Sequence, residues 1–155
     1  MKNGLTKSLG IHLVIEDSVE LPNIAADGLS IPTGTETLIA LKMTTLERLP
    51  SPYKSKCVSK ITNASISVLA SNESKYSAKS CNSFCYVVNS NNTCGCYNPE
   101  AVGGVPLQEY NRLSKVFRRC NLNTDIDKQC MKTVAANYSP CGCRPECKDI
   151  IYKVI

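Results

Sequence analysis

The stretch Tyr76-Ser77-Ala78-Lys79-Ser80-Cys81-Asn82-Ser83-Phe84-Cys85 sets the terms for the rest of the chain. From Tyr76 to Val88 there are few helix breakers, and Cys81 and Cys85 lie four residues apart, which on a helix puts both sulfurs on one face. Such a helix needs two partner thiols close together in sequence. Cys141-Gly142-Cys143, read as extended, supplies them, and the result is an antiparallel ladder of two rungs.

Those four residues belong to a set of ten cysteines, all between Cys57 and Cys147, in a chain of 155 residues with one histidine. So many thiols fit an oxidising compartment better than a reducing cytosol. Two chemistries compete for them. The Cys94-x-Cys96 and Cys141-x-Cys143 pairs could belong to a zinc site, but zinc knuckles favour two or more intervening residues, and a histidine-bearing arm is missing. The even number favours a disulfide framework, although ten cysteines allow about 945 pairings and spacing alone does not choose among them. No metal or cofactor is expected.

The first 56 residues carry no cysteine, so composition marks a boundary near Pro50 to Tyr53. Before it, Ile11, Leu13 and Ile15 alternate, and Leu38, Ile39, Leu41 and Met43 form a second apolar segment; both read as strands. Gly28, Pro32 and Gly34 punctuate the connection. Leu49-Pro50-Ser51-Pro52-Tyr53 reads as a rigid elbow, because each proline lacks a donor and restricts its predecessor. Residues 89–106, rich in Asn, Gly and Pro, read as a loop. A second helix is expected to begin near Thr124, whose hydroxyl would cap amides around Asp127, to run through Cys130 and Val134, and to end at Asn137, Ser139 and Pro140. Asp125 and Asp127 suit its first turn.

At 43% hydrophobic and 20% charged residues, the chain suits one globular domain. No run approaches the roughly 18 to 20 apolar residues of a membrane span, and the first 20 residues lack the apolar stretch of a secretory signal. The cysteines and these absences agree if the chain is a piece of a longer protein, with Met1 internal and the β-branched run Ile150 to Ile155 cut short. The net charge of +5 gathers in part at Arg112, Lys115, Arg118 and Arg119. That segment reads as a solvated loop or helix face rather than a nucleic-acid or lipid surface. Catalysis is not expected, since His12 sits in a strand segment without a nucleophile beside it. Four sequons, at Asn63, Asn72, Asn91 and Asn137, are candidate N-glycosylation sites.

In their order, these motifs resemble the extracellular domain of the epithelial sodium channel, degenerin and acid-sensing ion channel superfamily. The carriers are Gly10-Ile11-His12-Leu13-Val14-Ile15, the Gly28 to Gly34 turn before a strand at Thr37 to Met43, the Leu49 to Tyr53 elbow with Cys57, and Tyr76 to Cys85. Cys94-Gly95-Cys96, Cys141-Gly142-Cys143-x3-Cys147 and the aromatic Tyr152 complete the order. The resemblance implies an α+β fold with antiparallel palm and β-ball strands and a disulfide-riveted two-helix thumb. It implies the pairs Cys57-Cys147, Cys81-Cys143, Cys85-Cys141, Cys94-Cys130 and Cys96-Cys120. It also divides the chain into palm and β-ball strands over residues 1–49, elbow over 50–56, thumb over 57–147 and a truncated returning palm strand over 148–155.

By the same resemblance the chain is the extracellular gating region of a trimeric, voltage-independent, amiloride-sensitive-type sodium channel at the plasma membrane. Its partners would be sodium ions in the pore, homologous subunits and a membrane reached through missing transmembrane helices, with no nucleic acid. Pro52 and Tyr53 would be the gating elbow, Tyr53 touching the first transmembrane helix; the alternative for Tyr53 is an aromatic packed under a proline-rich turn. The two thumb carboxylates of the acid pocket in acid-sensing members fall at Lys132 and Ala136, which argues against that proton sensor. The rival expectation is a secreted cysteine-rich binding or inhibitor module acting through the basic segment near Arg118.

Overall fold

The computed structural model describes residues 10–16, 21–60, 75–139 and 141–155. Strand β1 (Gly10–Leu13) pairs antiparallel with β2 (Leu29–Pro32), His12 opposite Ser30, and the one-turn helix α1 (Ile24–Asp27) lies between them in sequence. Strand β3 (Leu41–Glu47) pairs antiparallel with β4 (Lys148–Val154), Met43 opposite Tyr152 and Glu47 opposite Lys148. Between β3 and β4 the chain builds α2 (Ala78–Cys94), a 3-10 turn (Pro99–Val102), α3 (Leu107–Val116) and α4 (Asp125–Ala136). This is an α+β fold of antiparallel ribbons and disulfide-tied helices.

The core sits under α2. Phe84, Cys85 and Val87 from α2 pack with Tyr76, Tyr97, Val102, Val105 and Leu113, and a smaller cluster of Cys96, Cys120 and Met131 lies toward α4. Helix α2 starts where Ser77 and Ser80 bond reciprocally, each side chain accepting from the other's backbone N–H. It ends at Gly95, whose left-handed φ of 64° lets its N–H reach Asn91 O.

Several expected boundaries move. Helix α2 runs on to Cys94 through residues read as loop, because Ser90 is buried with its hydroxyl on Val87 O and Cys94 is bonded to α4. Tertiary burial here overrides the weak helix propensity of asparagine. Residues 99–102 and 107–116 are likewise helical. The Gly28 to Gly34 connection contains a strand, β2, and it is β2 that pairs with β1. Strand β1 stops at Leu13, short of Ile15, and β3 begins only at Leu41; Leu38 is 89% exposed. Thr124 stands at the N-cap of α4, but its hydroxyl donates to Asn121 O and makes no cap bond.

The β3–β4 ribbon carries Leu41, Met43, Ile150, Tyr152 and Val154 on one face, all exposed. The molecule's stability therefore rests on the helical half. Replacing Phe84, 1% exposed, by alanine is expected to destabilise that half by about 3–5 kcal/mol. Chemical denaturation followed by far-UV circular dichroism measures it.

Candidate gating elbow and disulfide-tied helices

The elbow lies where the chain leaves β3 and enters the helices, and it is fixed by what surrounds it. Arg48, the first residue after β3, donates its backbone N–H to Cys147 O at 2.7 Å. Its guanidinium donates to Glu146 O at 2.9 Å and to Asp149 Oδ2 at 3.0 Å. Val58 N–H donates to Pro145 O at 3.0 Å, and the Cys57–Cys147 disulfide joins the same two strands with its Cα atoms 4.9 Å apart. Entry and exit of the helical region are thus closed by one disulfide, one ion pair and a short parallel bridge.

The same exit strand organises the start of α2. Tyr76 donates its hydroxyl to Arg144 O at 2.6 Å, and the Ala78 N–H donates to Glu146 Oε2 at 3.2 Å. The first turn of α2 has no acidic residue of its own, so Glu146 brings the negative charge that the helix N-terminus favours. Burial, with the Glu146 carboxylate nearby, pushes the Tyr76 hydroxyl above its ordinary pKa and keeps it a donor.

Within that frame, Pro50 to Lys56 folds into turns. Tyr53 N–H donates to Pro50 O and Lys56 N–H to Tyr53 O, both at 3.1 Å; Ser55 Oγ donates to Leu49 O, and the Ser51–Pro52 peptide is cis. Tyr53 is 56% exposed, so its ring is not packed beneath the turn.

Beyond the elbow, Cys81 bonds Cys143 and Cys85 bonds Cys141, each with Cα atoms 5.9 Å apart, which fastens α2 along the segment 141–143. Gly142 between them has φ +66°, a conformation that disfavours any side chain. Cys94 bonds Cys130, joining the end of α2 to the middle of α4, and Cys96 bonds Cys120. All ten cysteines are used.

Within the basic segment, two of the four cations are paired with carboxylates and a third lies against a ring. Arg118 makes a forked pair with Asp127 at 2.9 and 3.1 Å, Arg119 lies 5.5 Å from the Tyr110 ring centroid, and Arg112 is 3.4 Å from Glu109. Lys115, Lys132 and Ala136 are exposed. Cys96, Cys120 and Asp127 cluster closely enough to suggest metal ligands. However, the two sulfurs are bonded to each other, and the carboxylate already accepts from Arg118 and from Asn121 N–H. His12 faces Ser30 across the ribbon, at 3.4 Å between Nδ1 and Oγ. Asn137 is exposed at the C-cap of α4 and Asn91 lies half-buried near the end of α2, while Asn63 and Asn72 fall outside the described residues.

Sequence reasoning missed Arg48, Glu146 and Asp149. Their signal was present but faint, a charged residue immediately before Leu-Pro and two flanking the last cysteine.

Residues 2–155 match the sequence profile of the amiloride-sensitive sodium channel family. Degenerin unc-8 of Caenorhabditis elegans is 26% identical over 155 residues, covering 96% of this chain and 18% of that protein. Degenerin mec-10 of Caenorhabditis briggsae is 29% identical over 151 residues, covering 95% of this chain and 19% of its own length. The epithelial sodium channel subunit gamma of Neoceratodus forsteri is 36% identical over 94 residues, 59% of this chain and 14% of that subunit. The chain spans less than a fifth of the length of these relatives. It belongs to the amiloride-sensitive sodium channel family, a family of ion channels and not of enzymes. Among the described residues, no helix is long and apolar enough to cross a membrane.

Two measurements check the site. Arg48→Met is expected to cost about 1–2 kcal/mol, since the pair with Asp149 is only partly buried, whereas Arg48→Lys should recover part of that; urea denaturation reads both. The Arg118 bond, then the Asn121 N–H, holds the Asp127 carboxyl below its ordinary pKa. A depressed folded pKa gives stability that is complete above the unfolded value of about 3.9 and lost as pH falls through the folded one. Hydrogen exchange at the start of α4, corrected for the intrinsic pH effect, should stay level from about pH 7 to about pH 5 and rise only below about pH 4.

Proposed function

We propose that the chain is part of the extracellular gating region of a trimeric, voltage-independent, amiloride-sensitive-type sodium channel at the plasma membrane. Its sodium-conducting pore and transmembrane helices would lie in sequence beyond these residues, with homologous subunits as partners. Residues 57–147 act as the thumb, residues 50–56 as the elbow, and the β3–β4 ribbon as part of the palm. The observation that carries this reading is the closure at Cys57, Cys147 and Arg48, which makes the elbow the outlet for any rigid-body movement of the helices.

Stiffness is the physical requirement. Each disulfide restricts the unfolded chain by about 2–4 kcal/mol in the entropic account and holds α2 and α4 to one another and to the exit strand. A push on the helices then arrives at Pro52 and Tyr53 instead of dissipating in the thumb. The exposed Tyr53 ring is the contact offered to the first transmembrane helix. The exposed apolar face of the ribbon supports packing against further parts of the parent protein. N-glycans at Asn137 would project from the surface. The rival reading, a secreted cysteine-rich module acting through Arg118, is weakened because that guanidinium is committed to Asp127.

Voltage-clamp recording of the parent chain with its flanking segments tests the reading. Sodium currents blocked by amiloride are expected, and Tyr53→Ala should reduce them about tenfold or more with surface expression preserved. Full current in Tyr53→Ala would remove the elbow from the gating path.

A further inference from the structure

Lys79 occupies the second position of α2, the end of a helix where a cation is disfavoured, and it is held there by two carboxylates from outside the helix. Its Nζ donates to Asp27 Oδ2 at 2.7 Å and to Glu16 Oε1. The three side chains are 36%, 45% and 15% exposed for Lys79, Asp27 and Glu16 respectively. The second Glu16 oxygen is buried without a hydrogen-bond partner among the described residues, so Lys79 is what compensates that carboxylate. Burial works against the Lys79 ammonium, but the bonds from Asp27 and Glu16 outweigh it and raise its pKa; the Lys79 bond likewise holds Asp27 low.

Residues 21–28, which include α1, touch the helical region at a second place. Leu21 N–H donates to Val105 O at 2.9 Å and Gly104 N–H donates to Leu21 O at 2.7 Å. A side chain at Gly103 would meet Asn23 at 2.5 Å, and one at Gly104 would meet the stem of Lys79 at 2.5 Å. Two adjacent glycines thus admit both Asn23 and the lysine stem. Beside this joint lies a cavity of about 420 Å³, lined by Glu16, Asp27, Lys79, Lys148, Asp149 and Tyr152, where the end of α1 faces the first turn of α2 and β4. The joint has charged bonds that can exchange for water and room into which its parts can shift, whereas the covalent ladder beside it cannot part.

We propose that Lys79 is a latch: its bonds to Glu16 and Asp27 hold the segment after β1 and the end of α1 against the first turn of α2, and their release loosens that end of α1 while Leu21 stays bonded to Gly104 and Val105 and the disulfide ladder keeps the helices together. In the parent protein the latch sets whether the β1–β2 side follows the helices, a regulatory role that rests on the gating reading.

Hydrogen exchange on the folded full chain tests the contact. The Asp27 and Gly28 amides, which donate to Asn23 O and Ile24 O, are the reporters. In Lys79→Met their exchange is expected to rise about tenfold or more, with Cys85 to Val88 unchanged, and Lys79→Arg should keep protection. Unchanged reporters in Lys79→Met, or an equal rise along α2, would overturn the latch. Should Lys79→Met fail to fold, Asp27→Asn, which removes one charged bond and leaves Lys79 on Glu16, decides: faster exchange of the Gly28 amide supports the latch and unchanged exchange overturns it. Recording from the parent channel tests the regulatory role. A shifted response in Lys79→Met supports it, and an unaltered response with a loosened end of α1 overturns it. Absence of current from the unsubstituted channel would count against the sodium-channel reading, and the exchange result would still decide the latch.

Discussion

The Cys57–Cys147 disulfide and the Arg48–Asp149 pair meet at one point, where the chain enters and leaves its helical region, and the other elements take their positions from that closure. A covalent bond alone would tether two strands and leave them free to rotate about it. Arg48 removes that freedom, because one side chain reaches a backbone carbonyl and a carboxylate on opposite sides of Cys147. The planar guanidinium is suited to this, because its N–H donors are fixed in one plane and hold the carbonyl and the carboxylate in a set relative orientation. β3, β4 and the root of the helices are therefore one unit, from which the elbow turns project.

From that unit the exit strand works back along α2. Glu146 supplies the charge at the helix N-terminus, Cys143 and Cys141 bond successive turns, and Gly142 gives the strand the left-handed step between the two rungs. The far end of α2 is then tied to α4 through Cys94 and Cys130. Among the described residues the apolar core is small, and covalent restraint adds to what its burial supplies. What results is a stiff helical body beside two thin ribbons, joined through the closure on one side and the Lys79 contacts on the other.

How far this was legible in the sequence depends on the kind of signal. Cys81 and Cys85 four apart, with Cys141 and Cys143 across from them, could be read because helical period and covalent chemistry both act locally. The α4 span was visible from its own pattern, and the elbow from its prolines. The extension of α2 through Asn89 to Cys94 was not, because Asn-rich composition argues for a loop and only the burial of Ser90 and the bond to Cys130 reverse it. The pairing of β1 with β2 was hidden because Leu29–Pro32 is too short to show a period. Arg48, Asp149 and Lys79 escaped for a common reason: each acts on a partner remote in sequence, and a lone charged residue carries no mark of where its partner lies. The basic segment around Arg118 read as a solvated face, and Arg118 is exposed; what its sequence did not show is the forked pair with Asp127.

The claim on which the rest stands is that a nested disulfide framework closes the helical region at its root. Proteolysis under non-reducing conditions, followed by mass spectrometry of the cross-linked peptides, tests it most directly. The account predicts a Cys57–Cys147 peptide pair together with Cys81–Cys143 and Cys85–Cys141. A peptide joining Cys57 to any cysteine other than Cys147 would contradict it.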